Sequence, residues 1–151
     1  MSYALAIEDD PATTAMICKH LDGDDWNVHC VASLSDGLVA LRVQRFDCIV
    51  LDLNLPDAAG LGTLCKILMA ASGVPVVVLT GTGDATTATG AIYQGAVDYI
   101  YKAGFKYSNL PRICDFAIAR GTTDRLVDKA NDILTALKII QGRGQCRKYC
   151  D

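Results

Sequence analysis

Two acidic segments of this sequence each follow a short apolar run of the kind that forms a buried strand. Asp52 comes directly after the run 48–51, and the acidic segment 8–10 comes directly after the run 3–7. Parallel strands of one sheet end at the same edge, where open α/β folds place their chemistry. Carboxylate oxygens gathered there suit Mg²⁺, and a carboxylate beside a cation can act as a nucleophile toward a phosphoryl group. The spacing therefore predicts a site for cation binding and phosphoryl transfer.

Two further groups that this chemistry needs follow later apolar runs. Thr80 follows the run 75–79, and Lys102 follows the run 96–101. The equatorial oxygens of a phosphoryl group need counter-charge and hydrogen-bond donors, which an ammonium and a hydroxyl supply. Each residue also has a purely structural interpretation, because acids at strand ends often cap helices and a threonine can open a turn. Their coincidence at one predicted edge is what favours a site.

The elements that must position these residues alternate regularly between strand-like and helix-like patterns. The first helical pattern has Asp10 as its N-cap and Pro11 in its first turn, and the fourth lies between the cap Asp84 and the stop signal Gly95. This alternation predicts an α/β fold: a five-stranded parallel sheet, doubly wound into a three-layer sandwich. It is the flavodoxin-like architecture, with strand order 2-1-3-4-5. The predicted strands are 3–7, 26–31, 48–51, 75–79 and 96–101.

Composition restricts the classes of function. The 151 residues carry a net charge of −3 and a pI of about 5.2, so overall charge does not favour binding to nucleic acid or to an anionic membrane. No Lys or Arg precedes Lys19 and no long apolar stretch lies near the start, so we expect no signal peptide and a cytoplasmic protein. The apolar runs are strand-sized and too short to span a bilayer.

The sequence contains seven cysteines, an odd number that argues against a disulfide framework when no secretion signal is present. Cys146 and Cys150 lie in a polar tail without the four ligands of a structural zinc site. The other five lie in apolar-periodic segments, where we interpret them as small buried hydrophobic residues. They are Cys18, Cys30, Cys48, Cys65 and Cys114.

Residues 122–151 are too few for a further domain of standard size, and we predict a helical extension followed by a basic tail. Apolar residues recur there at alternating spacings of four and three, as in a two-heptad coiled-coil seam, and Gly142 and Gly144 are expected to end the helix. The extension can pair with a second copy, fold back on the rest of the chain, or begin a linker. The residues of this tail seam are Leu126, Ala130, Ile133, Leu137 and Ile140.

The sequence resembles the CheY-like receiver domain of two-component response regulators over about residues 3–120. Four stretches carry the resemblance, in order and with family-like spacing. They are AIEDDP at 6–11, FDCIVLDLNLPD at 46–57 with Gly60 shortly after, PVVVLTG at 75–81 and GAVDYIYK at 95–102.

The resemblance implies a role for each matching residue. Asp52 would be the phosphoacceptor, and Thr80 and Lys102 would bind the phosphoryl oxygens. Mg²⁺ would be held by Asp9, Asp52 and the backbone carbonyl of Asn54, with Glu8 acting mostly through water.

Other matching positions concern switching and lifetime. Tyr99 would be the aromatic switch residue that rotates inward when Thr80 moves. Gly81 would keep the approach to Asp52 open, and Asn54 and Thr82 would tune the lifetime of the phosphoryl group.

One position departs from the family pattern. Most receivers have a proline after the lysine, commonly with a cis bond, whereas Ala103 and Gly104 follow Lys102 here. A cis bond before a non-proline residue costs about 2.5–4 kcal/mol, so we expect a trans bond. The loop that carries Lys102 can therefore differ in its reach.

The resemblance implies a phosphorylation-controlled switch rather than a turnover enzyme. A sensor histidine kinase or a phosphotransfer protein would donate the phosphoryl group, and a downstream protein would bind the altered surface. Homodimers could form through the C-terminal helix or through the face of helix 4, strand 5 and helix 5. Helix 4 has no charged residue between 85 and 95, unlike the salt-bridged face of the common DNA-binding subgroup, so we expect a protein partner and not nucleic acid.

Two other classes are weighed against this one. A phosphotransferase of the haloacid dehalogenase type also uses a strand-end aspartate with Mg²⁺, threonine and lysine. In that class the nucleophile comes first and the acid pair last, whereas Glu8 and Asp9 precede Asp52 here. A pseudo-receiver that binds partners without phosphorylation is the other alternative, and only the replacement of the proline by Ala103 favours it.

Overall fold

A computed structural model describes residues 1–81 and 84–146 of the chain, with side chains up to residue 141. The strands are β1 (Ser2–Ile7), β2 (Trp26–Val31), β3 (Cys48–Leu51), β4 (Val76–Thr80) and β5 (Asp98–Tyr101). The helices are α1 (Pro11–Leu21), α2 (Leu34–Val43), α3 (Leu61–Ala70), α4 (Ala85–Gln94) and α5 (Leu110–Cys146), with a 3₁₀ turn at Tyr107–Asn109.

The five strands form one parallel sheet in the order β2-β1-β3-β4-β5. The predicted α/β fold and strand order are confirmed. Since all five strands run in the same direction, their carboxyl ends share one edge of the sheet. The order places β1, β3 and β4 in the centre, so the residues that follow these strands are neighbours.

The sheet is buried on both faces by two apolar layers that alternate along the central strands. In β1, Leu5 and Ile7 belong to the layer under α2 and α3, whereas Ala4 and Ala6 belong to the layer that contains Ile17 of α1. Alternate residues of a strand point to opposite faces, which is why the central strands are apolar throughout instead of alternating with polar residues.

The helix ends carry the signals that the sequence predicts. Asp10 caps α1 by accepting a hydrogen bond from the Thr13 amide, and Asp84 caps α4 in the same way through Thr87. Gly95 ends α4 with φ 123°, a conformation that favours glycine. The N-caps Asp10 and Asp84 lie where the chain leaves the site edge of the sheet, and Gly95 lies at the other end of α4, before β5 begins.

One capping interaction was not predicted from the sequence. The carboxylate of Asp57 accepts hydrogen bonds from the Leu34 and Ser35 amides, both at 2.9 Å. These bonds lower the pKa of Asp57. They also join the loop after β3 to the start of α2, so the segment that follows Asp52 is anchored at both ends.

The chain divides into two compact units, Met1–Gly121 and Thr122–Asp151. In the second unit, the expectation that Gly142 and Gly144 end the helix is wrong, because α5 continues to Cys146. Glycine lowers helix propensity by about 1 kcal/mol relative to alanine, but it keeps both backbone hydrogen-bonding groups and can be carried within a helix. The larger apolar residues of the tail seam are exposed: Leu126, Ile133, Leu137 and Ile140.

The cysteines divide by their environment. Cys48 and Cys114 are buried, and Cys18 and Cys30 are partly buried. The prediction is wrong for Cys65, which is exposed because it lies on the outer side of α3, away from the buried Leu64 and Ile67. Thr82, Cys150 and the side chain of Cys146 lie outside the described residues. Within the described part of the chain, no helix is both long and apolar enough to cross a membrane.

Candidate phosphoacceptor site

The strand register brings the predicted site residues together. Ile7 and Leu51 are paired in neighbouring strands, and the Asp52 amide donates a hydrogen bond to the Ile7 carbonyl at 3.0 Å. Glu8 and Asp52 therefore leave the sheet side by side. On the other side, the Lys102 amide bonds to the Thr80 carbonyl at 2.9 Å, so this pair also leaves the sheet together.

Asp52 is the centre of a closely bonded group. Its carboxylate is buried, with 5% of the residue exposed, and both oxygens accept hydrogen bonds. Oδ1 accepts from the Thr80 hydroxyl at 2.9 Å and from the Asn54 amide at 3.1 Å, and Oδ2 accepts from the Lys102 ammonium at 2.9 Å. These three donors compensate the cost of burying a carboxylate.

Glu8 is the second buried carboxylate of the site, with 4% exposed. Its Oε2 atom lies 2.7 Å from the Lys102 ammonium, and Oε1 accepts a hydrogen bond from the Asp10 amide at 3.0 Å. Burial raises the pKa of Glu8, against the hydrogen bonds from Lys102 and Asp10, which lower it. Burial lowers the pKa of Lys102, but its bonds to both carboxylates outweigh this and raise the pKa overall.

Three carboxylates of the site could hold a metal ion. One oxygen from each of Glu8, Asp9 and Asp52 lies within 4.8 Å of the others. Asp9 is exposed, whereas the other two are buried, so the cluster opens to solvent on one side. Hard oxygen ligands with room for water are what Mg²⁺ requires. The donor set fits this ion.

Comparison with known proteins identifies the family. Residues 4–112 match the model of the response regulator receiver domain. The chain belongs to this family. It is 36% identical over 98 residues to the DNA-binding response regulator MtrA of Mycolicibacterium smegmatis, covering 65% of this chain and 42% of MtrA. It is 33% identical over 109 residues to the cell cycle transcriptional regulator CtrA of Caulobacter vibrioides, covering 72% of this chain and 47% of CtrA.

A solved structure gives a further comparison. The phosphorylated cyanobacterial phytochrome response regulator RcpA is 26% identical, with a TM-score of 0.64, over 75% of this chain and 88% of RcpA. The chain thus spans less than half the length of the two curated relatives and most of the length of RcpA.

The side chain of Lys102 reaches Asp52 although Ala103 replaces the proline that usually follows this lysine in receivers. Within the described part of the chain every peptide bond is trans, including the bond between Lys102 and Ala103, as predicted. Gly104 has φ 74°, and the Phe105 amide bonds back to the Lys102 carbonyl at 3.2 Å. This turn lets the backbone leave β5 while the lysine side chain still reaches Asp52.

Two further residues with predicted roles, Tyr99 and Gly81, lie around the hydrogen-bonded group of Asp52. Tyr99 is partly buried against the apolar layer that contains Leu5 and Ile7, and its ring meets that of Tyr101 at 5.3 Å in an edge-on arrangement. At Gly81, a Cβ atom would lie 3.7 Å from Cδ of Lys102, an ordinary van der Waals contact, so the backbone at this position runs beside the lysine side chain.

The contact between Lys102 and Glu8 was not predicted from the sequence. The resemblance assigns Lys102 to the phosphoryl group and Glu8 to water near the metal. The Asp10 amide bonds to Oε1 of Glu8, which leaves Oε2 to the lysine.

Proposed function

We propose that this receiver accepts a phosphoryl group on Asp52 from a histidine kinase or a phosphotransfer protein, and that the modification changes its binding to a downstream protein. The observation that carries the proposal is the environment of the Asp52 carboxylate. It is buried at the site edge, and three donors from separate segments converge on its two oxygens: Thr80, Lys102 and the Asn54 amide.

The chemistry follows from these contacts. An oxygen of Asp52 attacks phosphorus, the bond from phosphorus to the donor's leaving atom breaks, and the electron pair departs with the donor. The Thr80 hydroxyl and the Lys102 ammonium already donate hydrogen bonds to this carboxylate. After a short movement, each can donate instead to an oxygen of the bound phosphoryl group. Such preorganised donors stabilise the charge that develops during transfer.

Asp9, Asp52 and the Asn54 carbonyl would hold Mg²⁺, with Glu8 behind them. When bound, the ion would neutralise charge on the phosphoryl oxygens. Lys102 is a side-chain cation that pairs with both Glu8 and Asp52. Turnover of a metabolite is not part of the proposal: the receiver catalyses only the gain and loss of its own phosphoryl group.

Movement of Thr80 would transmit the change to Tyr99 and α4. Tyr99 lines a surface groove of about 550 Å³ together with Ala88, Ile92 and Tyr93 of α4. Tyr93 is 92% exposed. Since the flanking strand and helix offer apolar and aromatic surface, we propose a protein as the downstream partner. The DNA binding in the name of MtrA belongs to a protein of which this chain matches 42%.

We further propose residues 1–121 as the phosphoacceptor domain and residues 122–151 as a helical extension for self-association. The boundary is supported by the two compact units. The exposed tail seam of the extension supports its role as a surface for another helix.

The test is phosphoryl transfer from acetyl phosphate, read by intact mass with and without Mg²⁺. We expect wild type to gain one phosphoryl group only when Mg²⁺ is present, and Asp52→Asn to gain none. Asp24→Asn is the matched control, because Asp24 is an exposed aspartate in the connection between α1 and β2 and does not belong to the site. It should be labelled like wild type.

Two results would contradict the proposal. Labelling that persists in Asp52→Asn would place the acceptor elsewhere. Absence of labelling in wild type, when a known receiver is labelled in the same buffer, would favour a pseudo-receiver that binds its partners without phosphorylation.

A further inference from the structure

Two cysteines outside the phosphoacceptor site are in direct contact. Cys18 lies in the last turns of α1 and Cys30 near the end of β2, and their sulfur atoms are 3.1 Å apart. Both residues are partly buried, not sealed from solvent. A disulfide has an S–S length of about 2.0 Å, so the two atoms need to approach by only about 1 Å.

The other described cysteines lack this combination of contact and access. Cys48 and Cys114 interact with each other but are completely buried, so a solution oxidant cannot reach them in the folded chain. Cys65 is exposed on α3. The pair in α1 and β2 is thus distinguished by geometry, not by the number of cysteines in the sequence.

We propose that Cys18 and Cys30 form an intramolecular disulfide when the protein meets a disulfide oxidant such as oxidised glutathione. The Cys18 thiolate attacks one sulfur of the oxidant, giving a mixed disulfide and releasing one glutathione thiolate. Cys30 then loses its proton, attacks the Cys18 sulfur and releases the second glutathione. Two protein thiols are oxidised, and one glutathione disulfide is reduced to two thiols.

The environment of the pair sets the rate of this reaction. Burial raises the pKa of Cys30 to about 12, and contact with Cys18 adds to the effect. Since the thiolate is the reacting form, closure of the disulfide is slow at neutral pH.

The disulfide would connect two elements next to the phosphoacceptor site. α1 begins directly after the acidic segment 8–10, and the Val31 carbonyl, one residue beyond Cys30, accepts a hydrogen bond from the Glu8 amide at 3.0 Å. The bond would close a short loop around the α1–β2 connection and restrict the unfolded chain. We expect the melting temperature to rise by about 5 °C or more.

The sequence allows a direct test by tryptic peptide mapping under non-reducing conditions. Cleavage after Lys19 separates Cys18, in peptide 1–19, from Cys30, in peptide 20–42, and neither peptide contains another cysteine. After prolonged incubation of the full chain with oxidised glutathione, we expect these two peptides to be joined and the melting temperature to be raised. Dithiothreitol should reverse both changes.

Three variants make the result decisive. Cys18→Ser and Cys30→Ser should each lose the joined peptide and the rise in melting temperature, whereas Cys65→Ser should keep both. The proposal is overturned if peptides 1–19 and 20–42 stay separate, or if oxidised chains contain only other pairings such as those of Cys146 or Cys150. None of these readouts depends on the phosphoacceptor role of Asp52, so the two proposals fail separately.

Discussion

Lys102 lies closer to Glu8 than to the predicted phosphoacceptor: its ammonium is 2.7 Å from Oε2 of Glu8 and 2.9 Å from Oδ2 of Asp52. The lysine therefore acts as a shared counter-ion for two buried carboxylates. A divalent cation bound by the same carboxylates reduces the negative charge that holds the lysine. Binding of Mg²⁺ would thus leave the ammonium freer to pair with a phosphoryl group.

The first prediction concerns this competition between cations. In Lys102→Met, Glu8 and Asp52 lose their counter-ion, so we expect Mg²⁺ affinity measured by calorimetry to rise about tenfold, or ~1.4 kcal/mol. Labelling by acetyl phosphate should fall, because a donor to the phosphoryl oxygens is lost. Lys106→Met, which removes an exposed lysine four residues later, should change neither quantity. Weaker Mg²⁺ binding in Lys102→Met would contradict the competition.

The second prediction concerns pH. Because burial raises the pKa of Glu8, the folded protein holds this proton more tightly than the unfolded chain does. Stability from Glu8 is then present below its unfolded pKa of about 4.5 and is lost as pH rises through the folded value. Glu8→Gln should remove this loss, so the free energy of unfolding of the variant, relative to that of wild type, should increase as pH rises above about 4.5.

Urea unfolding at several pH values, with wild type and Glu8→Gln in parallel, measures this difference. The comparison cancels the opposite contributions of the capping aspartates, Asp10, Asp57 and Asp84, whose pKa values are lowered by hydrogen bonds. A difference between the two proteins that does not change with pH would be inconsistent with a raised pKa for Glu8.

Much of the fold and site could be predicted because their signals are local. Apolar runs that end in Asp52, Thr80 and Lys102 specify both the strands and the edge where these residues gather. Two side-chain contacts between segments away from this edge pattern were missed. Asp57 meets the α2 amides across 22 and 23 residues, and the contact between Cys18 and Cys30 requires the packing of α1 on β2, which no spacing encodes.

The third prediction tests how closely α2 packs on the sheet. A Cβ atom at Gly37 would lie 2.6 Å from Cδ1 of Ile7, whereas one at Gly62 of α3 would meet nothing within 4 Å. Gly37→Ala should lower the free energy of unfolding by about 1–3 kcal/mol through overpacking. Gly62→Ala should raise it by up to ~1 kcal/mol through helix propensity. Chemical denaturation of both variants gives the two signs, and stabilisation by Gly37→Ala would show that Ile7 can move aside.

The last prediction concerns the tail seam. Ile133 and Leu137 are about half exposed, and apolar residues at this spacing are stable when they meet the same stripe of a second helix. Under reducing conditions we expect the full chain to show concentration-dependent dimers by light scattering. At the protein concentration at which half of the wild type is dimeric, the double variant Ile133→Asp, Leu137→Asp should stay monomeric. A dimer of this variant would have to bury four carboxylates. Thr135→Asp adds charge outside the seam of the same helix and should dimerise like wild type. Equal dimerisation of the double variant would place self-association on another surface.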